Sequence, residues 1–243
     1  MQIIIMAGGL GKRMNSNIPK VLHLINDKPM IYYIIQNALF ISYNISIIVG
    51  KYKDAIRASI REWFPDREFT YILQPEIDGK SGGTGHAIQS CVPFTESDVL
   101  ILSGDVPLLS VETLRRLIQR RNQILIAKVL SPFGCGRIIF ETNQIKRIVE
   151  EKDCNLEEAE IQYINCGVYY LSRETLMLTL PLLKNDNNNK EYYLTDCIGY
   201  AIQLGIVVDY YKLPEANNYE IANVNCPDDL AKVAQIMDIF SFL

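Results

Sequence analysis

Gly8, Gly9 and Gly11 fall within four positions of the stretch MAGGLGKRMNSNIPK, residues 6 to 20, and Lys12, Arg13 and Lys20 follow them. These residue types suit a phosphate: glycines let the backbone turn sharply and approach an anion, and the cations balance its charge. A dinucleotide fingerprint would need a glycine where Met14 stands. A P-loop would need a glycine at Met6 and a serine or threonine at Arg13. Both motifs are excluded, and the stretch alone fits a plain strand-to-helix turn with solvated cations equally well. A second candidate lies downstream, where apolar VLILS runs into Gly104-Asp105-Val106-Pro107. A carboxylate at a strand terminus is a hard oxygen ligand suited to magnesium, which binds through one or two carboxylates plus substrate phosphates. As a lone Gly-Asp it would equally serve as a turn or cap.

Short apolar runs alternate with amphipathic stretches, the pattern of strands crossing over through helices into a parallel sheet. Strands are expected near 2 to 6, 45 to 49, 70 to 73, 98 to 102 and 124 to 130, with helices near 29 to 41, 53 to 64, 84 to 92 and 110 to 121. Pro29 and Ser110 suit helix starts. Beyond them, RIIFETNQIKRIVEE reads as a hairpin around Thr142-Asn143 and INCGVYYLS as a further strand, an extra β region covering one end of the sheet. Helices near 172 to 179 and 194 to 203, a strand at 206 to 212 and a closing helix from Pro227 to Phe240 complete the chain. The polar tract NDNNNK, 185 to 190, reads as a loop. In an open parallel sheet ligands sit beyond the carboxyl ends of the strands, so the glycine loop and Asp105 can share one site. A nucleoside triphosphate would satisfy both.

Composition narrows the alternatives. With 243 residues, 49% of them apolar and 21% charged, the chain suits one α/β domain spanning 1–243, and no apolar run reaches the ~20 residues of a membrane span. MQIIIMAGG reads as a first strand and not a signal peptide, which implies a cytoplasmic protein. The six cysteines never form C-x-x-C and the only histidines are His23 and His86, so zinc has no local scaffold. A net charge of −4 disfavours nucleic acid, and RRLIQRR at 115 to 121 reads as a solvated helix face. His86, Trp63 and the tyrosines of IYYII read as packing residues.

The ordered set MAGGLGKRM, IPKVLHLINDKPM, GGTGHAIQS, LSGDVPLLSVETL, FGCGRII, IVEEKD, INCGVYYL and EYYLTD resembles the N-acetylglucosamine-1-phosphate uridylyltransferases, specifically the amino-terminal domain of the bifunctional bacterial enzymes, over roughly residues 2 to 230. The resemblance implies a Rossmann-like α/β fold of the nucleotide-diphospho-sugar transferase type, a mostly parallel sheet flanked by helices. It implies that N-acetylglucosamine 1-phosphate attacks the α-phosphorus of UTP, giving UDP-N-acetylglucosamine and pyrophosphate, with Mg2+ as cofactor. By the same resemblance Met6, Ala7, Gly8 and Gly9 line the uridine end, Gln74 with Gly83 and Thr84 reads the uracil edge, and Ser103 and Gly104 flank the site. Arg13 and Lys20 are the catalytic cations on the phosphates, and Asp105 and Asn225 are the metal ligands. Gly136, Glu150 and Asn165 match the positions that hold the sugar, with Tyr193 and Thr195 nearby.

The match has departures. Lys12 stands where the family has threonine or serine, Gly8 where it has alanine, Ser103 where it has tyrosine, and Cys166 where it has threonine. Asp78 to Gly82 look inserted, and Cys226-Pro227 replaces Asn-Arg. No hexapeptide period is present, so neither the left-handed β-helix nor acetyltransferase activity is expected. The base and sugar preferences stay open: another sugar 1-phosphate, dTTP, or an inactive nucleotide-sugar binder are the competing readings.

Overall fold

The computed structural model describes residues 1–9, 11–91 and 95–241. The first half follows the expected alternation: β1 (Gln2–Met6), α1 (Met30–Leu39), β4 (Ile45–Val49), α2 (Lys53–Trp63), β5 (Thr70–Leu73), α3 (Thr84–Gln89), β8 (Val99–Ser103), α4 (Val111–Leu117) and β9 (Gln123–Lys128). Two short hairpins interrupt it, β2 (Leu24–Ile25) with β3 (Lys28–Pro29), and β6 (Glu76–Ile77) with β7 (Lys80–Ser81). Pro29 is both the last residue of β3 and the N-cap of α1, so it stands at the helix start as expected, one residue before the first helical turn. Ser110 caps α4 as expected, its hydroxyl accepting the Thr113 N–H at 3.1 Å. That helix stops short of RRLIQRR's end, and Arg120 and Arg121 instead pair with Asp209 and Asp98.

The second half holds β10 (Arg137–Glu141), β11 (Gln144–Val149), α5 (Leu156–Ala159), β12 (Tyr163–Leu171), α6 (Arg173–Thr179), α7 (Asp196–Gln203), β13 (Asp209–Lys212) and α8 (Pro227–Ser241). One nine-stranded sheet runs β11-β10-β12-β8-β1-β4-β5, with β9 on β12 and β13 on β9. The strands around β1 are parallel. The expected continuation from β8 to β9 is not made, because β12 inserts between them and runs antiparallel to both. The β10–β11 hairpin joins this same sheet through β12 instead of lying over its end.

Both faces of the sheet are covered, so its central strands are near-continuous isoleucine, leucine and valine. Ile3 and Ile5 face α1, α2 and α4, while Ile4 faces α3, α6 and α7, the period-two alternation of a strand. A third apolar cluster, with Met14, Ile25, Met30, Val224 and Val233, fastens the glycine loop and the β2–β3 hairpin to α8. Trp63, expected inside, is 36% exposed at the edge of a ring cluster with Tyr32 and Phe64.

Candidate active site

The carboxyl ends of β1 and β8 lie side by side, and the Gly104 N–H donates to the Met6 carbonyl at 2.9 Å. Above them opens a cavity of about 220 Å3 lined by Met6, Ala7, Gly8, Gly9, Lys20, Gln74, Gly83, Thr84, Ser103, Gly104 and Asp105, the residues expected at the nucleotide end. Ser81 and Glu191 also line it, and neither is legible from sequence. Gln74 is buried and donates to the Gly83 carbonyl at 3.0 Å, with His86 Nδ1 at 3.4 Å from the same amide nitrogen. Burial lowers the His86 pKa, which favours the neutral imidazole. His86 thus touches the residue expected to read the base, a role its packing position did not announce. The residues that look inserted form the β6–β7 hairpin. Its Asp78-Gly79 turn has positive φ at both positions, and it carries the chain from Gln74 back to Gly83.

A polar knot closes the other side of the cavity. Lys20 Nζ donates to Asp105 Oδ2 at 2.5 Å and to Asn225 Oδ1 at 2.8 Å, and Arg13 Nη2 donates to the same Asn225 oxygen at 2.8 Å. Ser103 Oγ donates to the second Asp105 oxygen at 2.6 Å. Three segments far apart in sequence meet here, held by their backbones. The Val224 N–H donates to the Asp105 carbonyl at 2.9 Å, and the Asp229 carboxylate accepts the N–H groups of Asn225 and Cys226 at 2.9 and 3.1 Å. Partial burial would raise the Asp229 pKa, but these hydrogen bonds and Lys232 more than offset it, so the carboxylate is held ionised. Gly11, at φ +60, lets the loop pass Lys20, where a Cβ would stand 2.7 Å from the lysine Cβ. The Lys12 side chain lies outside the described residues.

The metal expectation can be tested on the donors. Asp105 Oδ2 and Asn225 Oδ1 converge on one cationic atom, the Lys20 ammonium, which marks a point where two hard oxygens face positive charge. Among the described residues no cluster of three His, Cys, Asp or Glu could hold a metal by itself. The donor set fits an ion that draws its remaining ligands from substrate phosphate and water.

The residues expected on the sugar side form a second cluster. Thr195 Oγ1 donates to Glu150 Oε1 at 2.8 Å, and a Cβ at Gly136 would lie in ordinary contact with that oxygen at 3.6 Å but crowd Ile148 Cγ2 at 3.1 Å. The Asn165 N–H donates to the Gly136 carbonyl at 2.9 Å, and its side-chain amide donates to the Tyr169 hydroxyl at 2.6 Å. Burial raises the Glu150 pKa despite the Thr195 hydrogen bond. Tyr193 is buried, and its hydroxyl accepts from Asn189 of the 185 to 190 loop at 2.6 Å, which ties that loop to the site instead of offering a free phenol. The two clusters adjoin at a bulge in β12. Gly167, at φ +71, places its Cβ direction 4.0 Å from the Ser103 Cβ, where β12 parts from β10 to pair with β8.

Residues 3–155 match the MobA-like NTP transferase domain. The chain belongs to this family. As a family member it is a nucleotidyltransferase, and the cavity at the carboxyl ends of β1 and β8 lies mostly within the matched span. It is 32% identical over 97% of its length to a probable UDP-N-acetylglucosamine pyrophosphorylase of Acanthamoeba polyphaga mimivirus, covering 96% of that protein. It is 36% identical to the bifunctional protein GlmU of Helicobacter pylori, over 98% of this chain and 54% of GlmU. The chain therefore spans about half the length of the bifunctional relatives it matches. A UDP-glucose pyrophosphorylase complexed with UDP-glucose superposes with a TM-score of 0.76 at 20% identity, covering 97% of each chain. The inositol-1-phosphate CTP transferase of T. maritima superposes with a TM-score of 0.72 at 17% identity, covering 98% of this chain and 94% of that one. These structures establish the nucleotide-diphospho-sugar transferase fold. Among the described residues no helix is long and apolar enough to cross a membrane.

Proposed function

We propose that this nucleotidyltransferase joins UTP to N-acetylglucosamine 1-phosphate, releasing UDP-N-acetylglucosamine and pyrophosphate. The observation that carries the reading is the nearness of the two clusters: Ser103, which lines the cavity with Lys20 and Asp105, lies 4.0 Å from where a Cβ of Gly167 would stand, two residues after Asn165 in β12, while Gly136, Glu150 and Thr195 gather around that strand's other partner β10. The mimivirus relative, aligned over nearly all of both chains, supports the choice of substrates.

In the proposed reaction an oxygen of the sugar phosphate attacks the α-phosphorus of UTP. The bond from that phosphorus to the oxygen bridging to the β-phosphate breaks, and its electron pair leaves with pyrophosphate. The attacking phosphate is already anionic at neutral pH, so no side chain has to remove a proton. The demands on the protein are alignment and positive charge on the developing negative charge. Lys20 and Arg13 supply that charge. Both donate to Asn225, and Lys20 also pairs with Asp105; triphosphate oxygens compete for the same N–H donors. Gln74, positioned by Gly83 and His86, reads the base, while Glu150 and Asn165 accept and donate to the sugar. Asp105 and Asn225 would hold Mg2+, which when bound neutralises phosphate charge as a Lewis acid. A cytoplasmic location accords with these substrates.

The test is a matrix of UTP, dTTP and CTP against 1-phosphates of N-acetylglucosamine, glucose and N-acetylgalactosamine, read by pyrophosphate release with magnesium. Highest kcat/KM for UTP with N-acetylglucosamine 1-phosphate is expected. No turnover of that pair by folded protein overturns the reading. The β6–β7 hairpin beside Gln74 and the serine at 103 make a different base or sugar the second reading, and the same matrix separates it.

A further inference from the structure

Arg137 directly follows Gly136, and it is 2% exposed, among the largest fully buried side chains of the protein. Its guanidinium donates to the Cys135 carbonyl, and to the Ala159 carbonyl at 3.3 and 3.2 Å through two nitrogens. It also pairs with Glu151 at 2.6 Å. The same Glu151 oxygen accepts the Gly134 N–H at 3.0 Å. One ion pair therefore holds the backbone on the amino-terminal side of Gly136, the first residue of β10, the end of α5 and the residue after Glu150.

Such a pair is a poor source of stability, because burying the guanidinium costs about as much as its attraction to the partly exposed Glu151 carboxylate returns. What it supplies is geometry. Gly136 and Glu150 face each other at close range just beyond the last pair of the β10–β11 ladder, Arg137 with Val149, and the Arg137–Glu151 pair is the salt bridge among the described residues that joins their two segments past that end. Glu150 also lies among like charges, Asp153 and Glu191, with Arg137 as the cation acting on it. The arginine counters part of the repulsion on Glu150, and Glu151 keeps the arginine in place.

We propose that Arg137 and Glu151 are a positioning pair that holds Gly136 and Glu150 in register for the sugar moiety of the acceptor. The inference rests on the functional reading above. It makes a specific statement about substrates: the pair serves the sugar phosphate and not the nucleotide, whose cavity it does not line.

Steady-state kinetics of Glu151→Gln in the full chain test it. Glutamine keeps the shape and an oxygen for the Gly134 N–H, and removes the charge. The sugar-phosphate KM is expected to rise about tenfold, because a misplacement of under an ångström is costly in a preorganised site. The UTP KM and kcat, measured below the melting transition, should stay within about twofold, while the melting temperature falls by about 5–10 °C because the buried guanidinium loses its carboxylate partner. A sugar-phosphate KM equal to wild type overturns the inference, and so does an equal rise in both KM values. Arg137→Gln and the double variant follow. If the residues act as a unit, the double variant is no worse than Arg137→Gln alone, and additive losses refute the pair. Should Arg137→Gln fail to fold, the Glu151→Gln comparison still decides. If wild type does not turn over N-acetylglucosamine 1-phosphate, the functional reading has failed separately, and the same KM ratio is measured on the acceptor that the matrix returns.

Discussion

Replacing Gly104 by alanine should damage both the fold and the reaction, because this glycine lies where two strands and the site meet. A Cβ there would stand 2.4 Å from the Met6 carbonyl oxygen and 3.1 Å from Val21 Cγ1. Ordinary contact begins near 3.4 Å, so the ends of β1 and β8 must part by about 1 Å. That movement stretches the 2.9 Å hydrogen bond from Gly104 to Met6 beyond useful length. Overpacking costs about 1–3 kcal/mol and the lost hydrogen bond about 0.5–1.5 kcal/mol, so a loss of about 2–4 kcal/mol is expected. For a chain of this size that lowers Tm by about 5–15 °C. Asp105 is the next residue and moves with the backbone, so turnover should fall about hundredfold. The control is Gly9→Ala, at a position with nothing within 4 Å, where Tm should hold within about 2 °C. Thermal unfolding and pyrophosphate release measure both effects. A Gly104→Ala variant with the melting temperature and turnover of wild type would refute the close-approach argument.

Lys20→Met should lower kcat/KM about hundredfold or more with the fold intact, and a loss under threefold, measured by pyrophosphate release, removes Lys20 from the reaction. Chelation of Mg2+ should abolish turnover and added Mg2+ restore it. Asp105→Asn should raise the magnesium concentration needed, and an unchanged requirement would exclude Asp105 as a ligand. Burial, with Glu150, Asp186 and Asp153 adding to it, pushes the Asp196 carboxyl from 3.8 up to about 6. The folded state holds that proton more tightly than the unfolded state. Its stabilising effect is therefore complete below about pH 3.8 and lost as pH rises through about 6. Asp196→Asn should accordingly melt above wild type at pH 7.5, with the gap closing near pH 4; equal melting temperatures at pH 7.5 contradict the assignment. Asp229→Ala should release the Asn225 and Cys226 N–H groups and lower Tm by a few degrees, most visibly at neutral pH where the carboxylate is ionised. A loss of equal size at pH 2 would show that charge is not involved.

Much of the architecture was legible along the chain. Two-sided burial makes central strands into apolar runs such as QIIIM and VLILS, and the intervening helices carry helical periodicity. The Thr142-Asn143 turn was readable for a local reason, since both residues adopt the positive φ that a tight hairpin requires. The place of β12 was not readable. Its nine residues suit any sheet, and whether it pairs with β8, β9 or β10 depends on which edges the crossovers leave open. The β2–β3 and β6–β7 hairpins escaped because two-residue strands carry no period.

The site divides in the same way. The glycine loop and Asp105 could be picked out as phosphate and metal chemistry because each is a local arrangement of residue types at a strand end. That Asn225 joins them could not be computed from spacing. It follows from the hydrogen bond of Val224 to the Asp105 carbonyl and from the α8 packing that brings residue 225 beside Lys20. Arginine is by type a surface residue, so nothing local marked Arg137 as buried; only the converging carbonyls of Cys135 and Ala159 and the Glu151 carboxylate make that burial tolerable. Which groups could bind phosphate, and that they would stand at strand ends, follows from residue order alone, since backbone conformation and hydrophobic pattern act over a few residues. Tertiary structure alone decided which of those groups meet, because desolvation, charge pairing and close backbone approach depend on neighbours that the chain brings together from more than two hundred residues away.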